Sequence, residues 1–207
     1  MSLEAVLGVV ISYLLGSIAF SIVIAKWVKG IDIRQHGSGN AGATNTLRVL
    51  GKGPAVLVLL LDAAKGIAAV LIGCWLGGEN PEWVAALCGL AAVLGHNWPI
   101  WFRFKGGKGI ATTIGVMATL AFLPSLLAGV LAILIIALTR YVSVGSLVFA
   151  IMTPVFILLF QAGMPSFWAG FVVAALAVIR HRKNIANLMQ GTENKLGAKK
   201  GVPHGKS

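Results

Sequence analysis

From Ala5 to Ala25 the chain carries no charged side chain and is almost wholly apolar. Nothing constrains the fold more. A helix needs roughly 20 apolar residues to cross a hydrocarbon core about 30 Å thick. An open sheet in lipid would leave backbone polar groups unpaired, so the spanning segments are expected to be helical. Glu4 precedes this run, and Lys26, Lys29 and Arg34 follow it. A secretory signal carries its positive charge first. The segment from about Ala5 to Trp27 therefore reads as a retained span with its N-terminus outside.

Further apolar segments run from about Pro54 to Leu76, Trp83 to Trp98, Ile110 to Thr139, Val144 to Phe160 and Phe167 to Ile179. As a single helix, Ile110 to Thr139 would be ~45 Å long, too long for an ordinary span. Pro124-Ser125 lies near its centre, where a helix should break. Two short, tilted spans hinged there give seven in all, and merging the later segments would give five. The expected fold class is an all-α polytopic integral membrane protein of about seven transmembrane helices. Its N-terminus lies outside and its C-terminus is cytoplasmic. One domain covers residues 1–196, and a basic, disordered tail covers 197–207.

Charge distribution agrees with that count. The chain has a net charge of +11, although only 11% of its residues are charged and its mean hydropathy is +0.89. In a soluble protein such a balance would suggest nucleic acid. Here, of the 17 Lys and Arg residues, all but Lys65 fall on one side, as the positive-inside rule requires, while Glu4, Glu79 and Glu82 fall on the other. A basic face of this kind attracts anionic lipid or a phosphorylated substrate, and no nucleic-acid partner is expected. Cys74 and Cys88 have no metal-ligand or redox spacing.

Three polar islands interrupt the hydrocarbon: His36 to Lys52, Asn97 to Gly109 and Arg180 to Lys195. They are expected to meet on the cytoplasmic side. Gly37 to Gly42 satisfies G-x-G-x-x-G, but no βαβ unit surrounds it, so it is not a dinucleotide fingerprint. Its physics still suits phosphate. Glycines admit close approach of an anion, a helix N-terminus supplies N–H groups, and Ser38, Asn40, Thr44, Asn45 and Arg48 add donors. A polar re-entrant loop is the simpler alternative.

Lys105-Gly106-Gly107-Lys108-Gly109 fails as a P-loop, with Phe102 where glycine is needed and Gly109 after the lysine. It remains an anion site, with Lys108 expected on substrate and Trp98, Trp101, Phe102 and Phe104 as interfacial anchors. His96 reads equally as a base or as a structural contact. His181 and Asn184, three apart, share a helix face. Asp62 and Lys65, also three apart, read as an intramembrane ion pair that orders the bundle or, alternatively, as support beneath the site. No cluster has metal-site spacing, and no carboxylate pair is available for acid–base work.

The motifs G-S-G-N-A-G-A-T-N around Asn40, G-H-N-W-P-I-W-F-R-F-K-G-G-K-G around Lys105 and H-R-K-N-I-A-N-L-x-x-G-T-E at the end resemble those of the bacterial acyl-phosphate-dependent glycerol-3-phosphate acyltransferases, the PlsY family. The segments from Asp62 to Gly66 and from Tyr141 to Ser146 add to the likeness, which covers nearly the whole chain up to Lys195. The resemblance implies transfer of a fatty acyl group from acyl phosphate to the sn-1 hydroxyl of glycerol 3-phosphate, with no cofactor and no metal. The product would be lysophosphatidic acid, in the first step of membrane phospholipid synthesis.

By position, the resemblance implies Ser38, Lys108, His181 and Asn184 as catalytic residues. These four and Arg48 would hold glycerol 3-phosphate. Asn40, Thr44, Asn45, Gly106, Gly107 and Ser146 would surround the acyl phosphate. Lys108 would stabilise developing charge. The base is either His181 or, as the scarcity of carboxylates favours, the phosphate of glycerol 3-phosphate itself. Membrane lipid and a soluble acyl-phosphate-producing enzyme are the implied partners, and a bacterial inner membrane the implied location. A transporter of organic phosphates is the alternative. Against it, no internal repeat is visible, and the islands lie at one surface and not at the midplane.

Overall fold

The computed structural model describes residues 2–197, so the expected tail lies outside the described residues apart from Gly197. Those residues form ten α-helices and no strand: α1 (Leu3–Gly16), α2 (Phe20–Lys29), α3 (Ala43–Leu50), α4 (Lys52–Leu76), α5 (Pro81–Asn97), α6 (Ile110–Leu120), α7 (Phe122–Thr139), α8 (Val142–Leu159), α9 (Met164–Arg180) and α10 (Arg182–Met189). Single 3₁₀ turns occupy Ile33–Gln35 and Ile100–Phe102.

Side-chain size is sorted in the manner of a membrane protein. Large apolar residues such as Leu60, Leu71, Ile133, Leu138 and Leu159 face outward, while Ala69, Ala85, Ala92, Ala128 and Ala177 are buried. Lipid is as apolar as leucine, so small residues that let helices approach closely hold such a bundle together. Gly16 shows the principle: a Cβ there would collide with the backbone of Ala92, which fixes α1 against α5. Around this pair, α4 packs on α1, α5 and α6, while α8 packs on α7 and α9.

The chain is a multi-pass membrane protein. Five segments are long and apolar enough to cross: Leu3–Lys29, Lys52–Leu76, Pro81–Phe102, Phe122–Thr139 and Val142–Leu159. Met164–Arg180 makes a sixth when taken with Arg182–Met189 across a 57° bend, and Ile110–Leu120 is a shorter apolar helix. Two details differ from the sequence reading. The segment Ile110 to Thr139 divides at Ala121, not at Pro124-Ser125. Pro124 instead sits in the first turn of α7, where no intrahelical N–H bond is lost. The first span, expected to be continuous, breaks at Ser17–Ala19.

Candidate active site

The first island is built around Asn45. This residue is fully buried in the first turn of α3, and its amide spans the preceding loop. Its Oδ1 accepts from the Ser38 N–H at 2.8 Å, and its Nδ2 donates to the carbonyls of Ile33 at 3.1 Å and His36 at 2.9 Å. The amide expected as a ligand donor is thus committed to its own loop. The side chains of Ser38, Asn40 and Thr44 make no hydrogen bond to another described residue, which leaves them available to a ligand. Arg34 ties this loop to the next island. It grips Asp32 through Nε and a terminal nitrogen, and reaches the Phe102 carbonyl at 3.0 Å. The hydrogen bond from Arg34 holds the Asp32 carboxyl below its ordinary range.

In the second island the chain turns sharply, and Arg103 and Phe104 both adopt left-handed backbone angles (φ 56° and 57°). Gly106 and Gly107 follow because nothing larger fits. A Cβ on Gly106 would meet the His96 carbonyl, and one on Gly107 would meet both the Ala41 carbonyl and His96 Nε2. The Gly107 N–H donates to the His96 carbonyl at 3.1 Å. Arg180 grips the other side of this loop, donating to the Gly107 carbonyl at 2.6 Å and the Gly106 carbonyl at 3.2 Å while stacking over Trp98. These glycines therefore provide close backbone packing, and their carbonyls serve Arg180.

Lys108 follows directly. Its Nζ donates to Asn184 Oδ1, and Asn184 Nδ2 donates to Glu193 Oε1 at 2.7 Å. The same carboxylate accepts from Ser143 Oγ at 2.7 Å and Asn187 Nδ2 at 3.3 Å. Glu193 is held there because its neighbours are tethered: Leu196 exchanges backbone and guanidinium hydrogen bonds with Arg140, and Lys195 covers Tyr141. Ser146, expected in the site, instead donates to Val142 one turn back in its own helix. Ser143 is the α8 serine that reaches the cluster.

His181 sits at the bend between α9 and α10 and is only 2% exposed. Its Nδ1 lies 2.8 Å from the Ala177 carbonyl. A carbonyl can only accept, so Nδ1 carries the proton and Nε2 the lone pair. Burial, reinforced by the charge of Lys108, lowers its pKa to about 4. Burial likewise lowers Lys108 to about 8; Glu193 opposes that shift, and Arg48 and Arg180 add to it. Arg48, exposed on α3, is thus close enough to Lys108 for their charges to repel.

Of the residues expected from sequence, Lys108, His181 and Asn184 come together, with Arg48 within electrostatic range. Ser38 and Asn40 lie on the loop that Arg34 ties to theirs, and Thr44 in the first turn of the α3 helix that follows it. Arg180 and Glu193 were not among the expected site residues. Glu193 could have been noticed as the sole acid of the third island. Among the described residues no group of His, Cys, Asp and Glu is placed to hold a metal ion. The arrangement is a set of cations and free polar side chains suited to phosphate esters.

Comparison with known proteins agrees with that chemistry. The family described as glycerol-3-phosphate acyltransferase matches residues 6–191. A glycerol-3-phosphate acyltransferase of Shouchella clausii (strain KSM-K16) is 55% identical over 203 residues, which is 96% of this chain and 99% of the relative. One from Halalkalibacterium halodurans is 56% identical over 198 residues, 91% of this chain and 94% of the relative. Among solved structures, the fold is similar to PlsY (YgiH), an integral membrane glycerol 3-phosphate acyltransferase. The match to its glycerol 3-phosphate form has a TM-score of 0.88 at 41% identity, covering 93% of this chain and 96% of that one. Its lysophosphatidic acid form gives 0.85 at 40% identity, covering 93% and 95%.

Proposed function

This chain belongs to the glycerol-3-phosphate acyltransferase family, and from that premise we propose that its three joined islands form one site where an acyl group passes from an acyl phosphate to the sn-1 hydroxyl of glycerol 3-phosphate. The protein is a membrane acyltransferase acting on glycerol 3-phosphate, and the transport reading is set aside. One observation carries the rest: the chain of contacts Lys108–Asn184–Glu193 unites the second and third islands, with Arg48 of the first within electrostatic range of Lys108. Two phosphate-bearing substrates need several cations around one cleft, and this geometry supplies them.

Lys108, Arg48, Ser38, His181 and Asn184 hold glycerol 3-phosphate, while Asn40 and Thr44 face the acyl phosphate. The sn-1 oxygen attacks the acyl carbonyl carbon, and the bond from that carbon to the phosphate oxygen breaks. Inorganic phosphate leaves, and the product is lysophosphatidic acid, which is also the ligand named for one of the similar structures. Lys108 balances charge on the oxygens as it develops. The hydroxyl proton passes to the phosphate of glycerol 3-phosphate. With a pKa lowered to about 4, His181 is poorly matched to the task near neutral pH. The second ionisation of a phosphate ester near ~6 is better matched. Among the described residues no base is hydrogen-bonded to the Ser38 hydroxyl, which favours direct transfer without an acyl-serine.

The islands face the cytoplasm of a bacterial inner membrane, as the gathering of Arg34, Arg48, Lys105 and Arg180 at one end of the bundle supports. That basic face suits docking by a soluble enzyme that makes the acyl phosphate. The donor is tested by offering palmitoyl phosphate and palmitoyl-CoA separately to purified protein in lipid with labelled glycerol 3-phosphate. Lysophosphatidic acid from the phosphate donor alone is expected; equal product from the thioester would overturn the assignment.

A further inference from the structure

Beneath the Gly106–Lys108 loop lies a buried ionic node that the reaction described above does not use. Asp62 and Lys65 of α4 are 0% and 3% exposed, and Lys65 Nζ lies 2.8 Å from Asp62 Oδ1. The same ammonium donates to the Ile18 carbonyl at 2.7 Å and lies 3.1 Å from His96 Nδ1. The ammonium thus hydrogen-bonds Ile18 and pairs with His96, while Asp62 meets it as a counter-ion whose carboxylate oxygens have no hydrogen-bond partner among the described residues. Ile18 belongs to the break between α1 and α2, where Lys65 supplies a hydrogen bond to a carbonyl outside either helix. His96 Nδ1 faces the pair, 3.1 Å from Lys65 Nζ and 3.5 Å from Asp62 Oδ1.

The other edge of the His96 ring faces the site. Its Nε2 and the Ala41 carbonyl both border the Cα of Gly107, and the His96 carbonyl accepts the Gly107 N–H. Gly107 is therefore held from behind by His96 and from in front by Arg180, and Lys108 is the next residue. Ionisable groups inside a membrane protein are costly and tend to mark function. The pair reaches the backbone beside Lys108 through one side chain, His96, whose Nδ1 meets the pair and whose Nε2 meets Gly107. We propose that Asp62, Lys65 and His96 are positioning residues: they fix the His96 ring, the ring fixes Gly107, and Gly107 aims the Lys108 ammonium. This inference rests on the reading that Lys108 binds substrate phosphate.

The test compares kcat, KM for glycerol 3-phosphate and Tm among variants in one lipid, using whichever acyl donor the wild-type protein accepts. Lys65→Met alone strands a buried carboxylate and lowers Tm. Asp62→Asn/Lys65→Met together leave no buried charge, so Tm recovers while kcat/KM stays down by about tenfold or more, because misplaced catalytic groups cost rate even in a folded protein. His96→Asn keeps an acceptor near Lys65 but removes the ring edge beside Gly107; it reproduces the kinetic loss with little change in Tm, whether or not the double variant folds. Recovery of both Tm and kcat/KM in the double variant, or wild-type kinetics in His96→Asn, would overturn the inference. Lys108→Ala separates the two levels. If it keeps wild-type kinetics, the substrate placement fails and this inference with it. If it collapses while the double variant and His96→Asn remain fully active, only the positioning role fails.

Discussion

Lys108 donates to the side-chain carbonyl of Asn184, and that bond, beside those of Arg180 to Gly106 and Gly107, joins the second polar loop to the third. The two residues are 76 positions apart, so only the folded bundle brings them together. Asn184 is oriented in turn by Glu193, which makes the pair part of a chain and not an isolated contact.

If the pair acts as a unit, its mutational effects are not additive. Lys108→Met and Asn184→Ala should each lower kcat/KM for glycerol 3-phosphate on the order of 10²-fold. The double variant should be little worse than the poorer single one. A full product of the two losses, measured in steady state, would show that the residues act independently.

The reaction should also lose efficiency on the alkaline side. Lys108 binds phosphate as the ammonium, and its pKa is lowered to about 8. Because kcat/KM reports the free enzyme, it should fall as pH rises through that value. Lys108→Arg, with a guanidinium that stays charged, should move the fall to higher pH. An unchanged profile would remove Lys108 from the pH dependence.

Glu193 raises the Lys108 pKa against the larger effect of burial. Its replacement by Gln should therefore shift the alkaline limb to lower pH. It should also destabilise the fold by about 1–3 kcal/mol, since Ser143, Asn184 and Asn187 lose a charged acceptor. A limb that stays in place while Tm falls would make Glu193 a purely structural hub.

His181→Gln distinguishes a base from a positioning group. With its Nδ1 tied to Ala177 and its pKa lowered to about 4, His181 should serve binding more than proton transfer. KM should rise several-fold and kcat should remain within about threefold. A collapse of kcat with KM unchanged would make the imidazole the base.

The apolar runs were legible because a helix in lipid must read as hydrocarbon. The breaks were less so. A proline suggested Pro124-Ser125, but proline is tolerated in the first turn of a helix, and the chain bends at Ala121. The break at Ser17–Ala19 has no local proline. Two features from elsewhere in the chain meet it: Gly16 packs on Ala92, and Lys65 bonds the Ile18 carbonyl. The islands stood out by charge and glycine, and three of their residues meet where expected. Asn45 differs because its amide turns inward to hold its own loop, a choice that spacing does not reveal. Arg180 acts through carbonyls of the second island, and Glu193, visible as the sole acid of its own island, gathers Ser143, Asn184 and Asn187 only once the chain is folded.

Calorimetric titration of glycerol 3-phosphate into the purified protein tests most directly the claim that three islands make one site. It needs no acyl donor. Arg48→Met, Lys108→Met and Asn184→Ala each disturb a different island. The account predicts that each weakens Kd by at least about tenfold, a loss of ~1.4 kcal/mol. Wild-type affinity in any one of the three would detach that island from the site and contradict the account.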